Sequence, residues 1–333
     1  MLRYFVYFCF MISEIRYSVE AYGQQDAVLW DDFVSRSRNA TFLLQRAYMD
    51  YHSDRFVDRS LLIYAVDDKQ RKLVALFAAC ECAGGEISAH GGLTYGGLIL
   101  PFSGGDGVAV VEIMSEIVTY YRLCGYNSIR YKAIPHIYHR YPCEEDVYAL
   151  FRLGARFVES NLSSAIDLTD PLRFNENSRR NVRRAADAGV KIERSADFSE
   201  FWQLLETLLA ERYSTRPVHS LDEISLLASR FPDNIELLVA RNEEGRVIAG
   251  SVLYKTETCL HAQYIAASPE GKRCGALPLL FNHAITECSG GVRYFDFGIS
   301  NEDHGRYLNA GLLRQKNAMG GRGITYNIYE LPL

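Results

Sequence analysis

Residues 261–276, HAQYIAASPEGKRCGA, change character at Ser268. Up to Ala267 the run alternates small or apolar residues with polar ones, the period of a strand. From Ser268 two glycines, a proline and two cations follow, and then a long apolar-rich stretch to Ser289 with helical spacing. A strand, a loop and a helix in that order suit a phosphate-bearing ligand. Amide groups at a helix start favour anions, Gly271 and Gly275 permit close approach, and Lys272 and Arg273 add charge. The spacing is neither a Walker A loop nor a dinucleotide fingerprint. Upstream, 235–241 and 246–255 read as strands joined by a polar turn at 242–245, and 258–267 continues the meander. The helices expected at 175–188, 198–212 and 221–230 come before it, and strands at 294–297 and 324–331 come after. This mixed order predicts an α+β domain with a central, largely antiparallel sheet.

The first half repeats that grammar. Strands are expected at 15–19, 60–66, 72–82, 128–133 and 156–168. Helices are expected at 26–34, 107–125 and 144–153, and a turn with a helix at 41–51. The reading is two tandem domains, residues 13–168 and 169–333, each with a mixed, mostly antiparallel sheet flanked by helices. A chain of 333 residues with 48% hydrophobic and 23% charged residues supports two cores. The net charge of -5 argues against a protein that coats nucleic acid, and no DNA partner is expected. The eight cysteines form no C-x-x-C pair and read as buried thiols of a reducing compartment. His136 and His139 lack zinc spacing, so no metal is expected. Residues 1–12, MLRYFVYFCFMI, are too short to span a bilayer. They read as an extension ahead of a working start at Met11, as a peripheral anchor or extra strand, or as a signal segment lacking a small-residue cleavage site. The expected location is the cytoplasm, without integral membrane contact.

Three further stretches carry chemistry. Residues 294–322, YFDFGISNEDHGRYLNAGLLRQKNAMGGR, crowd ionisable groups into a strand end, a turn-rich loop and a short helix; Asp296, Tyr307 and Lys316 stand out. Residues 175–190, NENSRRNVRRAADAGV, place Arg179 with Arg183, and Arg180 with Arg184, four apart on one helix. Such a patch suits phosphates, or it is a solvated face paired with acids. Residues 89–97, AHGGLTYGG, with 131–142, YKAIPHIYHRYP, gather His90, Tyr95, Lys132 and His136 among glycines and aromatics, a mixture suited to sugar or peptide recognition. A tight turn beside a half-buried loop explains the same letters.

Together the arginine helix, residues 261–285, and the tail Asp296, Gly298, Gly311, Leu312, Lys316, Gly320 and Gly321 resemble the Fem-type (FemAB-like) branch of the GNAT acyltransferase superfamily, over residues 13–333. Fem-type enzymes carry two fused GNAT-like domains and attach amino acids from aminoacyl-tRNA to peptidoglycan precursors, while relatives use acyl-CoA to acylate sugars or other amines. The resemblance implies direct attack of an amine on an activated carbonyl. The oxyanion would be held by backbone amides where two strands part, near Tyr264–Ala267 against Phe295–Phe297. It makes Asp296 the candidate base, Tyr307 the candidate acid, and Lys316 a contact to phosphate or carbonyl. It assigns donor binding to Tyr264, Ala266, Lys272, Arg273, Gly275 and Asn301. Acceptor or substrate contacts fall to Arg179, Arg183, His90, Tyr95, Lys132 and His136. No long heptad stretch is present, so the coiled-coil arm of tRNA-using members is missing. The leading reading is therefore transfer from acyl-CoA (acetyl-CoA) to an amine of a cell-surface sugar or peptide precursor. Aminoacyl-tRNA as donor, favoured by the arginine patch, is the second reading. A non-catalytic binding protein on a duplicated fold is the third.

Overall fold

The computed structural model describes residues 15–333. The readings offered for residues 1–12 lie outside the described residues. The chain is α+β. A four-stranded antiparallel sheet orders the strands Arg16–Ala21, Leu61–Val66, Arg71–Ala78 and Gly97–Ile99. A ten-stranded mixed sheet runs from Cys80–Cys82 at one edge to Lys191–Ser195 at the other. The expected strand 72–82 breaks at Ala79, and its two pieces serve different sheets. Residues 75–80 are all small or apolar and all buried, so no change of period marks the break. Residues 41–51 form the expected turn and helix, as the 3-10 turn Phe42–Leu44 and the short helix Arg46–Met49, which runs on into the 3-10 turn Asp50–His52.

The last strand, Arg322–Pro332, decides how the halves join. Its first part lies antiparallel to Arg156–Asp167, and its final residues pair with Ser128–Lys132 of the first half, Ile328 opposite Lys132 and Leu331 opposite Ile129. Arg156–Asp167 also pairs with Tyr294–Ile299, so the sheet passes without interruption from one half to the other. Aromatic contacts reinforce the joint: Phe42 and Tyr48 of the first half pack against Phe231 and Tyr254 of the second. Helix Gly107–Leu123 covers the first sheet through Val110, Ile113, Met114 and Ile117, and is capped by Asp106 accepting from Val108 and Ala109. Helix Ala276–His283 covers the second through Leu280 and Phe281, and packs against helix Glu176–Asp187. Among the described residues no helix is long and apolar enough to cross a membrane.

One element differs in a way that matters for the site. Residues 268–274, expected as an open loop, form the short helix Pro269–Cys274. Ser268 caps it by accepting from Gly271 N at 3.0 Å, with proline at the first helical position. Serine followed by proline is a helix-start signal, and here it outweighs the glycines. Gly275 then turns at φ +90°, with Asn181 O only 2.6 Å from where a Cβ would sit, so the chain enters Ala276–His283 without a gap.

Candidate active site

Strand Cys259–Ala267 lies parallel to Tyr294–Ile299 for three residue pairs: Cys259 opposite Tyr294, Leu260 opposite Phe295, and His261 opposite Asp296. There the pairing stops. The first strand goes on to Ala267 bonded only to Val247–Lys255, and a bulge leaves Gln263 unpaired between Ala262 and Tyr264. The second strand bulges between Asp296 and Ile299 and turns through Gly298 at φ +77°. Two neighbouring strands thus part just beyond His261 and Asp296. A cavity of about 600 Å³ opens there, lined on its strand side by His261, Gln263, Ile265, Ala266, Phe297 and Gly298.

Asp296 is fully buried at the apex. One carboxylate oxygen accepts from Ser163 Oγ and from Gly298 N at 3.1 Å. The other accepts from His261 Nδ1 at 2.8 Å, Tyr326 OH at 2.7 Å and Tyr138 OH at 3.2 Å. Burial alone would push this carboxyl up, but the hydrogen bonds and the charge of the His261 ring, with Ser163 and Tyr326, bring it down to about 2. Asp296 is therefore an anion whose lone pairs are all directed at fixed donors. His261, by contrast, lines the cavity. In the tautomer that donates Nδ1–H to the carboxylate, the Nε2 lone pair is left, and Nε2 makes no hydrogen bond among the described residues.

Lys316, on helix Ala310–Ala318, reaches the same cavity although only 4% exposed. Its Nζ donates at 2.7 Å to Gly298 O and at 2.7 Å to Ile299 O, which leaves one of three N–H donors. Burial lowers its pKa to about 8, opposed by the charge of Asp296. Tyr307 sits elsewhere, in a two-stranded hairpin with Asn301–Glu302, 58% exposed and outside the cavity lining.

Of the donor-binding set, Ala266 and Lys272 line the cavity, and Arg212 joins Lys272 there. Tyr264 lies outside the lining, its ring against Trp202 and its hydroxyl on His219. Arg273 is exposed and outside the lining. Gly275 serves the helix junction described above. Asn301 is used internally: its side-chain oxygen accepts from Leu162 N, and its amide donates to Gly305 O at 3.3 Å. The amides at 268–272 are largely spent as well, on Ser268 and Ile248.

The acceptor set scatters. His90 and Tyr95 are core residues, Tyr95 bonded to Thr41 at 3.0 Å. Lys132 donates to His90 O at 3.2 Å and to Leu93 O, and lines a second cleft of about 300 Å³ with Glu159, Asn161 and Asn327. That cleft and the cavity at the strand ends share Thr94, Ile299 and Tyr326, so they adjoin. His136 borders a separate surface cleft with Arg140 and Tyr294. Arg179, Arg180 and Arg183 are exposed, with no ion pair among the described residues. Their helix is bonded at its start to Ala318, and Arg184 donates to Cys274 O, so it bridges the segments that hold Lys316 and Lys272.

Sequence reasoning passed over His261, Ser163, Tyr138, Tyr326 and Arg212. His261 stands at the head of the quoted strand, but the bulge at Gln263 reverses the alternation, so strand parity does not mark it. The others come from distant segments and carried no signal.

Residues 173–306 match the family model for the acetyltransferase (GNAT) domain. Among solved structures the chain is similar to FemX, with 11% identity over 95% of this chain and 97% of that one and a TM-score of 0.68. It is also similar to L-PGS from Bacillus licheniformis (13% identity, 93% and 92% covered, TM-score 0.59) and to a tandem GNAT protein from the clavulanic acid biosynthesis pathway (12%, 95% and 98%, 0.52). Among curated proteins none matches the chain. The match over residues 173–306 is to a GNAT acetyltransferase domain, and along nearly its full length the chain shares the fold of these structures.

Proposed function

We propose that this protein is an N-acyltransferase that takes an acyl group from acyl-CoA and passes it to a primary amine. The observation that carries the reading is the end of strand pairing at His261 and Asp296, which leaves a slot flanked by an Asp-oriented imidazole and a buried lysine. The thioester carbonyl lies in that slot. Neutral amine nitrogen attacks the carbonyl carbon, a C–N bond forms, and the nitrogen gives its proton to His261 Nε2. Asp296 stabilises the imidazolium without taking the proton itself. The oxyanion draws on amides freed where the strands part and on the remaining N–H of Lys316. Collapse breaks the C–S bond, and the thiolate takes a proton from the imidazolium or from Lys316. Tyr307 has no part in this scheme, because it stands outside the cavity. Lys272 and Arg212 hold the phosphates of the carrier by side-chain charge. The adjoining cleft, with amide side chains and a Glu159 carboxylate paired to Arg130, suits hydroxyl and amide groups such as those of an amino sugar or peptide.

A second reading, aminoacyl-tRNA as donor, is favoured by the unpaired arginines on helix Glu176–Asp187. The test is thiol release from acyl-CoA in the presence of amino sugars and amine-bearing peptides, with His261→Ala as control. Amine-dependent release that the variant loses supports the first reading. Consumption of aminoacyl-tRNA without any thiol release moves the donor to the second.

A further inference from the structure

The transfer slot does not use up the run from Tyr131 to Pro142. Its 3-10 turn His136–Tyr138 sends Tyr138 inward to the Asp296 carboxylate, while the exposed His136 lines a surface cleft of about 780 Å³. That cleft shares no residue with the cavity at the strand ends or with the cleft beside Lys132. The first half lines it with residues from His139 to Tyr148, and the second half with Thr258, Arg293 and Tyr294. Tyr141 and Tyr148 are 60% and 50% exposed, and the ring of Phe102, 6.0 Å from that of Tyr141, is 49% exposed. Aromatic faces grouped in water favour a ligand that lays a flat C–H surface on them.

The charges on the lining cancel, Arg140 and Arg293 against Glu144 and Glu145. Arg293 is paired to Asp167 and Glu145 to Arg38, whereas Arg140 and Glu144 are exposed without an ion pair among the described residues. Arg140 Nη1 donates to Ser35 O at 2.9 Å, which holds the guanidinium with donors to spare. His139 Nε2 donates to Ile134 O at 3.0 Å, so its Nδ1 is an acceptor; that atom and Glu145 Oε2 are buried without a donor. A lining with spare acceptors and no net charge disfavours a phosphate or carboxylate and favours a neutral ligand rich in hydroxyl groups.

We infer that this cleft binds a neutral oligosaccharide, with ring faces on Tyr141 and Tyr148 and hydroxyls bridging Arg140 and Glu144. The volume suits a ligand of more than one ring. The cleft lies apart from the slot, so the inference goes beyond the transferase reading and does not depend on it.

The experiment measures binding of maltotriose, cellotriose, the N-acetylglucosamine trimer and trialanine to the full chain, by calorimetry and saturation-transfer NMR. At least one trisaccharide is expected to bind, with the strongest transfer to the C–H protons of one ring face. Tyr141→Ala and Tyr148→Ala should each weaken it at least about fivefold, the scale of losing one aromatic anchor. Both side chains stand at least half in solvent, so neither change reaches the core. Binding that both variants leave unchanged places the sugar elsewhere and overturns the inference. So does the absence of binding by every trisaccharide, and so does trialanine binding more tightly than all of them, which makes the cleft a peptide site. Thiol release from acyl-CoA is a separate measurement, so none of these results decides the transferase reading.

Discussion

Asp296→Asn changes one atom at the centre of the site, and its consequences follow from the bonds already described. Asp296 accepts five hydrogen bonds, from Ser163, Gly298, His261, Tyr326 and Tyr138. An amide offers one acceptor oxygen and one NH2 group. If the oxygen keeps Ser163 and Gly298, the NH2 faces His261, and the ring must present Nδ1 as an acceptor. That moves the remaining proton to Nε2 and removes the lone pair the amine needs. Placing the NH2 on the other side instead sets it against Gly298 N–H, which cannot rotate. One buried donor left unpaired costs about 1–3 kcal/mol, a drop of several degrees in Tm for a chain of this size. The catalytic loss is expected to be larger, about 10²–10⁴-fold in kcat, the range for a misoriented general base. The assay is amine-dependent thiol release across pH 6–9 with circular dichroism melting alongside. His261→Ala should lose a similar factor, and the double variant should lose no more than either single one, because the two residues act as a unit. Asp296→Asn activity within about threefold of the parent, with folding intact, would refute the proposed relay.

Four histidines, His52, His90, His139 and His219, are held neutral by burial, with pKa values lowered to about 4, 3, 4 and 4. Because the unfolded chain takes up these protons from about pH 6.5 downward and the folded chain does not, stability should fall on acidification by up to about 1.4 kcal/mol per histidine per pH unit until the folded values are reached. Urea midpoints at pH 7 and 5 check this, and equal midpoints contradict it. Lys316→Ala should cut turnover at least tenfold, the scale of one lost transition-state contact. If its charge matters, the parent's rate should also decline as pH rises past about 8, where Lys316 loses its proton, and the variant should lack that limb. Replacing Arg179 and Arg183 together with Ala should leave acyl-CoA binding unchanged. On the second reading it should instead weaken tRNA binding and lower the magnitude of its salt slope by about 1.5.

The α+β class, the order of elements in the second half and the closing strand are legible in the letters, because alternation and helical spacing are local properties. The helix around Arg179–Arg183 is equally plain from Asn175 as cap and Gly189 as stop. Local signals also have local competitors. Ser268 and Pro269 turned an expected phosphate loop into a helical turn, and buried apolar residues on both sides of Ala79 hid the break between two sheets. Prominence in sequence was a poor guide to place in the site: Tyr307 stands in the same polar run as Lys316, yet a hairpin carries it into solvent.

What the sequence determined alone is the order of most strands and helices, and that Asp296 and Lys316 fall within one polar run of the tail. The tertiary structure decided which histidine meets Asp296, since that depends on the parallel register of two strands 35 residues apart. It also decided that Tyr138 and Tyr326, from the first half and the final strand, complete the carboxylate's shell. Register and strand crossover are set by packing between distant segments, and no pattern within one segment encodes them.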